Sequence, residues 1–109
     1  MSIETLHIAV EDTSEAKVLR LSGELDCYSS SQLSDIHSKG LLKANRLIVD
    51  LNGIEYIDSA GLAALVRLWV EAEESKVAMT ISCGNPRIRR VLEITGLIKL
   101  FQMNDQDAG

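Results

Sequence analysis

Residues Leu47–Trp69 read LIVDLNGIEYIDSAGLAALVRLW. The run from Arg46 to Leu51 is almost continuously apolar and β-branched, the mark of a strand buried on both faces, as in a parallel sheet. Asn52-Gly53 is a turn signal, and Ile54, Tyr56 and Ile57 lead on to a helix. In that helix Leu62, Leu65, Val66 and Trp69 fall at i, i+3, i+4 and i+7 and form one apolar stripe. Glu71, Glu73 and Glu74 end it, an unfavourable placement at a negative helix terminus. Between strand and helix stand Asp58 and Ser59, at a helix start whose free N–H groups and partial positive charge tolerate an anion. Ser59 is thus either a simple cap or a place where a phosphate is added and removed. Physics alone leans to the cap, because Ser and Asp are the commonest cap residues.

Outward from this stretch, residues 3–10 show rough alternation and read as an edge strand. Glu11–Ala16 is polar and reads as a turn. Residues 17–23 alternate, with Val18 and Arg20 on one face and Leu19 and Leu21 on the other, which predicts a hairpin. Gly23 closes that strand and Glu24-Leu25-Asp26 reads as a loop. Ser29-Ser30-Ser31 offers N-caps to a weak helix that turns Leu33, Ile36, Leu41 and His37 inward. Downstream, Val77–Ser82 is a second buried-type strand. Asn85 caps a third helix with Pro86 at its first position. Ile88, Val91, Leu92 and Thr95 face inward, and Gly96 stops that helix. Leu97–Gln102 reads as a short last strand, and 103–109 as a frayed tail. The alternation of strands and helices predicts one α/β domain over 1–109, with a small mixed sheet opened by a hairpin and flanked by helices.

Composition narrows the function. The 109 residues carry a net charge of −5 with only four aromatic residues, Tyr28, Tyr56, Trp69 and Phe101. Nucleic acid demands a basic surface or stacking platforms, so neither duplex nor single strand is an expected partner. Cys27 and Cys83 are far apart, without CxxC spacing. With His7 and His37 they make no plausible zinc set, so two reduced cysteines of a cytoplasmic protein are expected. The N-terminus lacks the basic and apolar regions of a signal peptide, and the apolar run Ala60–Val66 is too short to span a bilayer.

An active site of the chain's own is not expected either. Neither histidine lies where it would serve Ser59, and the GxSxG elbow is absent because Ile57 stands two residues before the serine. Asp26 and Asp58 could be paired only as two acids on loops, and no phosphate-cradling glycine pattern follows a strand. Arg87, Arg89 and Arg90 read first as a solvated basic face and second as a partner contact. Nothing beside Cys27 in the sequence marks it as reactive.

The segment LIVDLNGIEYIDSAGLAAL resembles the signature of the STAS domain family, most closely its bacterial anti-sigma factor antagonists. Gly23-Glu24-Leu25-Asp26, Ser82-Cys83-Gly84-Asn85-Pro86 and Ile94-Thr95-Gly96-Leu97 match as well, so the resemblance covers essentially the whole chain. It implies a cytoplasmic regulator of transcription, not an enzyme, that needs no cofactor and no metal. Its partners would be an anti-sigma factor serine kinase of the histidine-kinase-like ATPase type and a metal-dependent serine phosphatase. The unphosphorylated form would bind the kinase and free the sigma factor, and phosphorylation of Ser59 would end binding. Carried onto this sequence, Ser59 is the phosphoacceptor, and Glu24, Asp26, Asp58, Ser59, Ala60 and Gly61 form the partner surface. Ala60 stands where a second hydroxyl is frequent. Glu74-Ser75-Lys76 lacks the glycines frequent at that link. The alternatives that the fold leaves open are an accessory subunit of a membrane lipid transporter and a small-molecule or nucleotide sensor.

Overall fold

The computed structural model describes residues 5–36 and 44–103. In chain order the elements are β1 (Leu6–Asp12), β2 (Lys17–Leu25), α1 (Ser30–Ile36), β3 (Arg46–Ile57), α2 (Ser59–Glu74), β4 (Ala78–Ser82), α3 (Pro86–Ile94), α4 (Leu97–Leu100) and β5 (Gln102–Met103). The expected inward positions His37 and Leu41 of the first helix lie outside the described residues, as do residues 104–109 of the expected tail.

The sheet runs β1-β2-β3-β4-β5, antiparallel at the opening hairpin and parallel from β2 onward. This is the predicted mixed sheet, with β1 at the edge. Leu19 pairs with Val49 and Val49 with Ile81. These side chains therefore share one face, and all three are fully buried beneath the helices. Among the described residues the other face stays open. Arg20 reaches across it, paired with Glu11 on one side and with Asp50 at 3.5 Å on the other. The hydrogen bond and charge of Glu11, with Asp50 behind them, raise the Arg20 guanidinium above its ordinary pKa.

Several expectations are corrected here. β3 and β4 are buried on one face only, because the helical cover among the described residues lies on that side: Ile48, Asp50, Thr80 and Ser82 are half-exposed. Asn52-Gly53 is no turn. β3 runs straight through it to Ile57, and β2 runs on to Leu25. β3 carries an extra residue between Asp50 and Gly53, and another between Ile54 and Tyr56, relative to β2. Two bulges against a long partner absorb what looked locally like a reversal. Gly23, at φ +98, sits at the second irregularity, where the carbonyl of Thr5 leaves no room for a Cβ.

The buried stripe of α2 is Gly61, Ala64, Leu65, Leu68 and Ala72. Leu62, Val66 and Trp69 are half-buried at its flanks, packed against the core. Of the expected stripe Leu65 is fully buried, and Gly61, Ala64, Leu68 and Ala72 join it. On α3, Ile88 and Leu92 are buried, while Thr95 is exposed and forms the C-cap. The Thr95 hydroxyl donates to the carbonyl of Val91 at 2.8 Å, which explains why it does not turn inward. Leu97–Leu100 is a helical turn, α4, and only Gln102 and Met103 join the sheet. A short apolar run does not by periodicity distinguish strand from helix.

Candidate functional site

β2 and β3 end side by side, and α2 starts directly above them. Asp58 takes an extended backbone (φ −115, ψ −174) and caps α2: one carboxylate oxygen, Oδ1, accepts the N–H of Gly61 at 2.9 Å. Of the two cap candidates in the sequence, Asp58 is the cap and Ser59 is the first helical residue. The second oxygen, Oδ2, accepts the N–H of Cys27 at 3.1 Å. The Asp58 N–H donates to the carbonyl of Leu25 at 3.3 Å. One carboxylate thus joins the exit of β2 to the start of α2.

Gly61 makes that junction possible. A Cβ there would lie 2.2 Å from the Leu25 carbonyl oxygen and 2.9 Å from its Cγ. Only a residue without a side chain lets the first turn of α2 rest on the end of β2.

The connection from β2 to α1 is a compact turn. Asp26 Oδ1 accepts the N–H groups of Tyr28 and Ser29, each at 3.0 Å. Ser29 is buried, and its hydroxyl accepts the N–H of Asp26 at 2.9 Å and donates to the carbonyl of Glu24 at 2.8 Å. Ser29, one of the expected helix caps, is therefore turned backward. The Asp26 carboxylate closes the turn that leads into α1, the Asx-turn chemistry of short acidic side chains.

Around this junction the surface is exposed and acidic. Glu24 and Glu55 are exposed, and Asp26 and Asp58 half-buried. Ser59 is exposed, and among the described residues its hydroxyl has no hydrogen-bond partner. Its own N–H and that of Ala60 belong to the first turn, where no intrahelical acceptor exists. The structure thus brings Glu24, Asp26, Asp58, Ser59, Ala60 and Gly61 to one corner. Gly61 alone of these is buried, beneath the others. The Cys27 thiol is exposed in the same loop, whereas Cys83 is in the core.

Sequence reasoning missed two residues here. The chain's two tyrosines adjoin this corner, Tyr28 at 86% exposure in the turn and Tyr56 at 50% opposite Glu24 in the sheet register. Only an aromatic beside acidic residues, in the turn for Tyr28 and at the end of β3 for Tyr56, could have flagged them. Arg87 and Arg90 are exposed at the start of α3, on a different helix, and Arg89 leans on the Cys83 carbonyl at 3.3 Å. Among the described residues no three His, Cys, Asp or Glu side chains come together to hold a metal ion. None of the described helices is long and apolar enough to cross a membrane.

A mixed sheet covered on one face, with a capped helix rising from a tight acidic corner, defines a small two-layer α/β domain whose distinctive chemistry sits at one helix start. The family model of the STAS domain matches residues 7–107, and the chain belongs to that family. It is 28% identical over 103 residues to an anti-sigma-B factor antagonist of Staphylococcus aureus, a match that covers 92% of this chain and 95% of the relative. It is 24% identical over 104 residues to an anti-sigma F factor antagonist of Paenibacillus polymyxa, covering 94% and 89%. The crystal structure of an anti-sigma factor antagonist from Mycobacterium paratuberculosis has the same fold, with a TM-score of 0.80 at 24% identity over 94% of this chain and 91% of that one.

Proposed function

We propose that this chain is an anti-sigma factor antagonist that acts by switching partners in the cytoplasm and performs no catalysis of its own. Its unphosphorylated form binds an anti-sigma factor serine kinase of the histidine-kinase-like ATPase type and so releases the sigma factor. The kinase transfers a phosphoryl group to the Ser59 hydroxyl, binding ends, and a metal-dependent serine phosphatase restores the free form. The observation that carries this reading is the state of Ser59: exposed, first in a long helix, and spared from capping because Asp58 does that work. The names of the relatives supply the kind of partner.

The charge argument follows from the corner's composition. A phosphoserine brings roughly −1.5 to −2 charges at neutral pH. The free N–H groups and dipole at the start of α2 can host that anion, so the backbone need not move. A partner surface matched to a neutral hydroxyl would then face phosphate together with Glu24, Asp26 and Asp58. Burying uncompensated charge is costly, so the complex dissociates.

The test is incubation of the full chain with the cognate kinase and ATP, followed by intact-mass measurement and peptide mapping. One phosphoryl group on Ser59, absent from Ser59→Ala, is the expected result. A normal mass gain in Ser59→Ala would place the acceptor elsewhere and overturn the assignment.

A further inference from the structure

Asp58 has two carboxylate oxygens with two different tasks. Oδ1 caps α2 through Gly61, a local duty that any good cap residue could perform. Oδ2 reaches out of the helix to the Cys27 N–H, and Cys27 precedes Tyr28 in the turn after β2. That turn is stiffened internally by Asp26 and Ser29. Tyr28 projects from it with 86% of its surface in water. A tyrosine offers a large apolar face at the cost of ordering few torsions, which is why buried interface anchors are so often aromatic.

We propose that Tyr28 is the aromatic anchor of the partner interface and that Asp58 is its positioning residue, holding the Tyr28 turn against α2 so that the partner meets ring and Ser59 hydroxyl as one surface. This rests on the reading of Ser59 as the partner's target. The partner it fits is a protein face with an apolar recess for the ring, bordered by cationic groups that answer Glu24, Glu55, Asp26 and Asp58. Tyr56 provides the contrast. It is fixed by the sheet opposite Glu24, so its placement does not depend on the Asp58 link.

Asp58→Asn separates the two tasks. The amide oxygen can still accept the Gly61 N–H, and asparagine caps helices well. The amide nitrogen then faces the Cys27 N–H, donor against donor, and the link is lost. Asp58→Ser, which has one oxygen and also caps well, serves as a second variant should Asp58→Asn fold poorly. The first measurement needs no partner: amide hydrogen exchange by NMR. Exchange at Cys27 is expected to rise tenfold or more, in the manner of a loop released to local opening, while Gly61 is unchanged. Unchanged Cys27 exchange in both variants overturns the positioning role.

The second measurement is affinity of the unphosphorylated full chain for the purified cognate kinase. Tyr28→Ala is expected to weaken binding roughly tenfold or more, the usual mark of an anchor. Asp58→Asn should weaken it as well, and the double variant should be no weaker than the weaker single one, because both remove the same presented ring. In phosphoryl transfer the loss should appear in KM with kcat retained. Full additivity of the two changes, or a kcat loss without a KM rise, overturns the link between them. Binding within twofold of wild type for Tyr28→Ala, while Ser59→Asp is impaired, overturns the anchor and leaves the switch standing. Binding unaffected by both Tyr28→Ala and Ser59→Asp overturns the two readings together.

Discussion

α2 and α3 begin alike and differ in what they offer. Each follows a parallel strand. Each is capped by an Asx side chain: Asp58 accepts from Gly61, and Asn85 accepts from Arg87 at 3.0 Å. Each cap also uses its second side-chain atom to tie the helix to a neighbouring segment, Asp58 to the Cys27 N–H and Asn85 to the Ile54 carbonyl at 3.1 Å. The residue after the cap separates them. In α2 it is Ser59, with a spare hydroxyl and an acidic surround. In α3 it is Pro86, which has neither hydroxyl nor N–H, followed by Arg87, Arg89 and Arg90. The same physics builds both helix starts, and only one carries a group that chemistry can mark.

Ser59 is where that contrast breaks most completely. Ser59→Ala is expected to abolish phosphoryl transfer while keeping partner affinity near wild type, read by mass gain and by calorimetric titration with the kinase. Because Asp58 holds the cap, its stability should stay within about 0.5 kcal/mol of wild type in urea unfolding. A larger loss would show that the hydroxyl is chiefly structural. Ser59→Asp should weaken partner binding. The effect will be partial, since a carboxylate carries less charge and fewer acceptors than phosphate.

Gly61→Ala should have the next largest effect. The nearest atom to its new Cβ is backbone, the Leu25 carbonyl, so the first turn of α2 must lift off β2. A loss on the order of 3 kcal/mol is expected in urea unfolding, at the upper end of overpacking costs. Gly84, just before the α3 cap, gives a comparison, since a Cβ there would meet only the Asn52 Oδ1 at 3.0 Å. Gly84→Ala should cost clearly less. Equal losses would mean that the close seating of α2 is not special.

Asn85→Ala removes the α3 cap and the bond to Ile54 together, and about 1–2 kcal/mol should be lost in the same assay. No loss would show that Pro86 alone suffices to start this helix.

The helix ends give the smallest contrast. Both helices close with the next residue but one in the left-handed region, Gly96 at φ 79 after α3 and Lys76 at φ 60 after α2. At Lys76 the pattern is complete, with the N–H groups of Lys76 and Val77 donating to Glu73 and Ala72. The link itself, Glu74-Ser75-Lys76, carries no glycine. Lys76→Gly should gain about 1 kcal/mol, the left-handed strain relieved less the entropy that glycine adds to the unfolded chain. Gly96→Ala should lose a similar amount for the converse reason.

What the sequence made legible is what local chemistry decides. Asn85-Pro86 and Gly96 mark the bounds of α3, and the Asp58-Ser59 turn marks the start of α2, because caps and stops act within one turn. Cap identity at α2 stayed open in the sequence, since both residues qualify and only the tie to Cys27 selects Asp58. The β3 extension was hidden because Asn52-Gly53 is a turn signal in isolation, and pairing with β2, distant in sequence, overrules it. The α2 stripe was read from bulk, which found Leu65 but not Gly61, whose lack of a Cβ lets it rest on Leu25. Tyr28 has no periodic neighbours, so only its exposure in the folded chain draws notice.

Among the described residues β1 forms one margin of the sheet and β5 the other. β1 ends in Glu11 and Asp12, held in pairs with Arg20 and Lys17 across the hairpin, so an incoming strand would meet fixed charges at that end. At the opposite margin β5 contributes two residues among those described. The charged end of β1 hinders edge-to-edge self-association there, whose risk rises with concentration. On the function proposed above, in which free copies titrate a partner, pairing of copies through β1 would withdraw them from use.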